Sequence, residues 1–316
     1  MMRSPLRLLL VALAMSALAA CSSLQGDAED ADADVSGDSN GTLQVAAYNF
    51  GESQIVANLY AGALNAAGQE AEVKTLTNRE IIIPATEENQ IQVVGDYAGT
   101  LTEFLNKQVN GPDAPAQASP DIDVTMKALR ELAGQVGLVV LEPAEARNQN
   151  AFAVTKEFAQ EHNLTTLTQL GEYSQQSPVS VGGPPECPAR PFCLIGLEDV
   201  YDVKVSEFRS LDAGGPLTKS ALQQGIVDVG LVLTSDGALD QFGLQILTDD
   251  KELQASDNIV PVVNKKAMND TIRKTLDDVS AALTQEALRD MNYAVDWERQ
   301  DPATVAQNWL KANGLA

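Results

Sequence analysis

The sequence predicts an α/β protein of two lobes, and three observations lead there. Short apolar runs alternate with amphipathic stretches, the pattern of βα units whose helices cover a sheet. The body that carries this pattern, residues 43–316, is 274 residues long, enough for two domains of common size. A central block of strands and helices is flanked by first-lobe strands on one side and by late helices on the other. This suggests two crossings between the lobes, near Pro143–Asn150 and Thr248–Asp257, with one lobe of residues 43–147 and 254–316 and another of residues 148–253.

The start of the chain stands apart from that body. Arg3 and Arg7 precede an apolar run of 13 residues, Leu8 to Ala20, too short to cross a hydrocarbon core of about 30 Å. Leu18-Ala19-Ala20-Cys21 puts small residues before a cysteine, so residues 1–20 read as a lipoprotein signal peptide and Cys21 as its lipidation site. Residues 21–42 read as an acidic, disordered tether: Ser22 to Thr42 holds six acidic residues, no basic ones and almost nothing apolar to bury. Two acyl chains on Cys21 would suffice for stable attachment, where one would not. The expected location is the extracytoplasmic face of the cell membrane.

The whole chain has 21 Lys+Arg against 44 Asp+Glu. Without Arg3 and Arg7 the balance is 19 against 44, a net charge of −25, which disfavours nucleic acid and anionic membrane surfaces as partners. No second apolar stretch approaches membrane-spanning length, which leaves the lipid as the expected anchor.

Within the body the elements follow in order. Leu43 to Ala47 reads as a strand, and Ser53 to Ala67 as a helix with Ile55, Leu59 and Gly62/Ala63 on one face and Gly68 as its stop. Gln90 to Val94 is a strand, followed by Asp96-Tyr97-Ala98-Gly99-Thr100 and a helix through Lys107. Asn110 to Pro120 is a loop, Thr125 to Ala133 a helix, and Gly137 to Leu141 a buried strand. Further on, Ala151 to Val154 is a strand, and Thr155 a candidate N-cap. Strands are expected at Val179–Gly182, Val205–Leu211, Val227–Leu233 and Ile259–Val263, and helices at Leu197–Tyr201 and Leu217–Gln224. Three helical stretches close the chain: Ala267–Leu283, Gln285–Ala294 and Pro302–Ala312.

Seven short stretches then carry a resemblance, in order: Asn49-Phe50-x-Glu52-Ser53, Asp96-Tyr97-x-Gly99-Thr100, Asn150-x-Phe152-Ala153-Val154, Arg190 seven residues before Leu197, Gly214-Gly215-Pro216-Leu217-Thr218, Thr234-Ser235-Asp236-Gly237, and Asn258 through Val263. Together they span nearly the whole body, which resembles the osmoprotectant-type substrate-binding lipoproteins of ABC importers. That resemblance implies a type II periplasmic-binding-protein fold, with a quaternary amine such as glycine betaine, choline or carnitine held between the lobes. It also implies ABC permease transmembrane subunits as partners, a monomeric receptor, no cofactor and no enzymatic activity. A quaternary ammonium has no N–H to donate, so aromatic rings must hold it, at about 0.5–2 kcal/mol per cation–π contact. A carboxylate suits a guanidinium fork.

Matched position by position, the resemblance implies Tyr97 and Phe152 as box rings, with Asn150 beside them, and Thr100 and Arg190 as carboxylate binders. Lys219 and Leu233 stand where two further rings are common, and Tyr48, next to Asn49, stands where some members have a lysine. These departures predict weak glycine betaine binding, with Tyr48 as a candidate third ring, and a cationic Lys219 in the cleft would repel a quaternary amine. A receptor with shifted specificity for another small polar metabolite, and a surface adhesin or scaffold on the same fold, are the alternatives.

Cys187 and Cys193 bracket Pro-Ala-Arg-Pro-Phe in a chain read as exported, which favours a disulfide closing a short loop around Arg190; free thiols or a metal pair are the other readings. The chain has a single histidine, His162, expected on an exposed helix, and neither a nucleophile elbow, a phosphate loop nor a metal-ligand spacing accompanies it.

Overall fold

Apolar side chains along β1 (Leu43–Tyr48) divide between two cores, Val45 and Ala47 on one face and Ala46 and Tyr48 on the other. A strand buried on both faces belongs inside a sheet with helices on each side. The computed structural model describes residues 41–185 and 187–316. The expected signal peptide, the Cys21 anchor and all but the end of the tether lie outside the described residues. Among the described residues no helix is long and apolar enough to cross a membrane.

From β1 the chain enters α1 (Gly51–Ala66), which buries Ile55, Leu59 and Ala63 at helical spacing. It then forms β2 (Ala71–Leu76) and α2 (Arg79–Glu87), two elements absent from the sequence-based expectation. β2 is a partly exposed edge strand whose charged residues interrupt any apolar run, and Pro84 inside α2 reads as a helix breaker. Next come β3 (Val93–Tyr97), α3 (Ala98–Asn110), α4 (Ile122–Gln135) and the short β4 (Leu138–Val140). The strand expected at 90–94 thus lies three residues further on. It runs through Asp96 because that buried carboxylate is met by hydrogen bonds from Arg79, Tyr48 and the Tyr97 N–H.

The chain then crosses into β5 (Asn150–Thr155) and α5 (Lys156–His162), where the Thr155 side chain accepts from Phe158 N–H as N-cap. α6 (Leu167–Ser174) opens with a capping box of Thr166 and Gln169. β6 (Val179–Gly183), α7 (Leu194–Tyr201), β7 (Val205–Ser210), α8 (Pro216–Gln223), β8 (Val229–Leu233) and β9 (Leu244–Leu247) complete this part. After the return crossing, β10 (Ile259–Asn264) is followed by α9 (Asp270–Ala282), α10 (Gln285–Asn292) and α11 (Pro302–Ala312). His162 corrects an expectation: it is half-buried rather than exposed, its ring 4.6 Å from Phe158 and 4.4 Å from Tyr173.

Two five-stranded sheets result, in the orders β2-β1-β3-β10-β4 and β7-β6-β8-β5-β9. They share one topology. Four strands run in one direction, and one strand contributed across a crossing lies antiparallel between its neighbours, β10 in the first sheet and β5 in the second. Each sheet has a core on both faces. In each, the chain order reverses direction beside a central parallel strand, β1 next to β3 and β6 next to β8. Such switch points open a crevice at the carboxyl ends of the strands, where α/β proteins place ligands. The crossings run side by side. Arg147 and Asn258 form an antiparallel bridge, and Asn148 N–H donates to the Asp257 carbonyl at 3.1 Å.

Candidate functional site

At these strand ends a cavity of about 860 Å³ opens between the two sheets. One wall comes from the first sheet: Arg79 at the start of α2, Tyr97 at the end of β3, and Thr100 and Phe104 on α3. The opposite wall carries Arg190 and Phe192 from the loop before α7 and Leu233 at the end of β8. Asn148, Asn150 and Asp257, from the two crossings, form the floor. A second cavity of about 450 Å³ adjoins it, sharing Asn148 and Leu233 and lined further by Phe50, Glu52, Lys219, Asp236, Phe242 and Trp297.

Tyr97 holds its position through a buried carboxylate. Its hydroxyl donates to Glu52 Oε1 at 2.6 Å, and Glu52 also accepts from Asn148 Nδ2 at 2.9 Å and Asn292 Nδ2 at 2.7 Å. Burial, and after it the Glu52 charge, holds the Tyr97 hydroxyl well above its ordinary pKa, so it stays a donor. Three donors satisfy a carboxylate that has left water. They also tie α1, β3, the first crossing and α10 to one group.

Behind Tyr97 lies a second network. Asp96 Oδ1 accepts from Arg79 Nη2 at 2.6 Å and from Tyr97 N–H at 2.7 Å, and Asp96 Oδ2 accepts from the Tyr48 hydroxyl at 2.5 Å. Arg79 Nη2 also donates to Thr100 Oγ1 at 3.0 Å. Burial opposes the charge on Arg79, but Asp96 outweighs it and raises the guanidinium's pKa. Thr100 N–H donates to Asp257 Oδ1 at 2.8 Å, and the Thr100 hydroxyl lies 3.4 Å from the same oxygen. Burial pushes the Asp257 carboxyl up to about 6; the backbone N–H of Thr100 works against this, Asp96 adds to it, and Arg79 opposes it.

The nine binding positions named from the sequence therefore fall into groups. Tyr97, Thr100, Asn150, Arg190 and Leu233 line the cavity of about 860 Å³. Phe152 does not: it is 0% exposed, packed in the second-lobe core among Val154, Val181 and Leu231, and shares no wall with Tyr97. On β5 it points to the same face as Asn150, but one residue pair deeper, where helices cover the sheet. Tyr48 is interior too, its hydroxyl spent on Asp96. Asn49 is exposed and lines neither cavity. Lys219 faces the smaller cavity, where its ammonium sits 2.5 Å from Asp236 Oδ2, with side-chain exposures of 11% and 13%. The pairing cancels the cation expected to repel a quaternary amine.

Cys187 and Cys193 are joined by a disulfide with a Cα–Cα distance of 5.2 Å, and both are buried. The five residues between them, Pro-Ala-Arg-Pro-Phe, present Arg190 and Phe192. Sequence reasoning missed Arg79, Asp257, Phe104 and Phe192 as site residues. Glu52 and Asp96 sat inside stretches already singled out, but nothing local to them announced a partner.

Residues 41–312 match the sequence family described as the substrate binding domain of ABC-type glycine betaine transport system. A glycine-betaine-binding protein from Pseudomonas aeruginosa is 28% identical over 285 residues, covering 87% of this chain and 88% of its own. The carnitine transport binding protein OpuCC of Listeria monocytogenes is 23% identical over 283 residues, 88% of each chain. Among solved structures, apo YehZ from Escherichia coli superposes with a TM-score of 0.74 at 23% identity, covering 87% of this chain and 99% of its own. A structure titled glycine betaine/carnitine/choline ABC transporter gives 0.76 at 20% identity, covering 86% and 99%. At these identities the structural likeness is one of fold.

Proposed function

The chain belongs to the family of substrate-binding domains of ABC-type glycine betaine transport systems, and we propose that its inter-lobe cavity captures a quaternary amine or related compatible solute for delivery to an ABC permease. As an importer's binding protein it works outside the cytoplasm, with a small solute and the permease as partners. The finer reading is a monomer without enzymatic activity, tethered by residues 21–42 and anchored through a diacylated Cys21. In this reading residues 43–147 and 254–316 move as one lobe and residues 148–253 as the other.

One observation supports this reading of the cavity above the rest: rings from both lobes line it, Tyr97 and Phe104 from one and Phe192 from the other. Phe192 is 48% exposed in this arrangement, a large ring kept at the mouth rather than packed away. Closure of the lobes would bring it toward Tyr97 and surround an ammonium that can donate no hydrogen bond. Tyr97→Ala and Phe192→Ala should each weaken binding of choline, glycine betaine and carnitine by about 3- to 30-fold, the range that one cation–π contact spans. Isothermal calorimetry on the purified protein reads this directly. Failure of the wild type to bind any quaternary amine would refute the proposed ligand class.

A further inference from the structure

The first turn of α3 is an obvious place for a ligand carboxylate, since the leading N–H groups of a helix lack internal partners. Tyr97, the residue before the helix, supplies no side-chain cap. Here those donors are already engaged by the return crossing. Ala98 N–H donates to the Asn258 carbonyl at 2.9 Å, and Thr100 N–H to Asp257 Oδ1 at 2.8 Å. The Gly99 N–H also stabilises the Asp257 charge. The approach depends on Gly99: a Cβ there would lie 2.8 Å from the Ser256 carbonyl and 3.3 Å from Asp257 Oδ1. Ser256 is in turn pinned by hydrogen bonds to Ser119 and Pro120 carbonyls, so the segment is fixed against the helix.

The neighbouring donors are largely turned away from the cleft as well. Arg79 directs Nε and Nη2 to Asp96, and Nη2 also donates to Thr100 Oγ1. Asp96, Asp257 and Arg79 leave one net negative charge on this wall, and Glu52 at the Tyr97 hydroxyl adds another. The other charged side chains on the cavity, Glu80, Glu103, Lys107 and Arg190, cancel in sign. A cation at the Tyr97 ring is therefore favoured by the surrounding charge, whereas an incoming carboxylate meets Asp257 where it would seek donors.

Resting on the reading of this cavity as a quaternary-amine site, we propose that Asp257 sets its specificity: its carboxylate fills the anion seat at the start of α3, so that the cavity selects a quaternary ammonium cation without a carboxylate over a zwitterion.

Calorimetry of choline and glycine betaine on the full chain and on Asp257→Asn tests this. The asparagine keeps the size and an acceptor for Thr100 N–H while removing the charge. Wild type should bind choline at least about tenfold more tightly than glycine betaine. In Asp257→Asn choline should weaken and glycine betaine improve, each by about tenfold. Opposite movements mark a charge effect, since a merely structural lesion would weaken both ligands together. Because Asp257 is ionised above about 6 and neutral below it, choline affinity of the wild type should fall as pH drops through that range while that of Asp257→Asn changes little. Equal affinities in the wild type, or parallel losses in the variant, overturn this inference and leave the receptor reading standing. Absence of binding by choline, glycine betaine and carnitine in both proteins overturns the quaternary-amine reading itself.

Discussion

A carboxylate buried beside a ring hydroxyl, as Glu52 is beside Tyr97, stays in place only while its donors do. Each of the three donors removed would leave an acceptor short, at about 1–3 kcal/mol, so Tyr97 is oriented as much from behind as by its own backbone. Phe152 shows the other fate of an aromatic near a strand end. Its ring fills the second-lobe core, where truncation opens a cavity. Phe152→Ala should lower stability by about 3–5 kcal/mol, measured by urea unfolding. Phe152→Leu, which keeps most of the volume, should leave ligand affinity within about twofold. A tenfold loss of affinity in a folded Leu variant would return this ring to the binding site. Neither fate is legible from residue type: both rings lie within two residues of a polar side chain, Asp96 before Tyr97 and Asn150 two before Phe152, and only the covering elements separate them.

At the scale of elements, the cavity is set by how short segments are capped and stapled. The disulfide closes a small loop whose next turn is the start of α7, so Arg190 and Phe192 sit on a fixed arch above the cavity. Replacing both cysteines by serine should cost about 2 kcal/mol on a chain-entropy account of so small a loop. It should also weaken ligand binding, because both side chains lose their rigid support. Unfolding and calorimetry on the double variant check the two effects; unchanged values in both would show that packing alone holds the arch. Most elements were readable from apolar period and capping residues, Thr155 among them. The exceptions are β2 and β9, edge strands with one weakly covered face, α2, which contains Pro84, and α6, which is missed despite its capping box of Thr166 and Gln169.

For the whole molecule, the site exists because the chain crosses twice and the crossings are joined. The late helices add a third tie, with Arg289 Nε on α10 donating to the Thr234 carbonyl at 2.7 Å and Asn292 Nδ2 to the Ser235 carbonyl at 2.9 Å. Gly237 makes that approach possible, since a Cβ there would meet the Arg289 carbonyl at 2.1 Å. At this scale also belongs the anchor. Under the proposed diacyl attachment, Cys21→Ala should release the protein from membranes, because the acyl chains would supply its strong hydrophobic attachment. Fractionation that finds the variant still membrane-bound would count against a lipid anchor at this cysteine.

What the sequence by itself determined is local and periodic: the alternation of strand and helix, the two-lobe division implied by its order, several caps, and the arrangement of short stretches shared with a receptor family. What only the tertiary structure decided is which of those residues meet. Thr100 and Asp257 are 157 positions apart, Arg79 and Asp96 belong to different elements, and Phe104 and Phe192 come from opposite lobes. Periodicity tells a side chain which face of its own element to take. Contact across the cleft depends instead on where the crossings hold the two sheets and on which strand ends they leave uncovered.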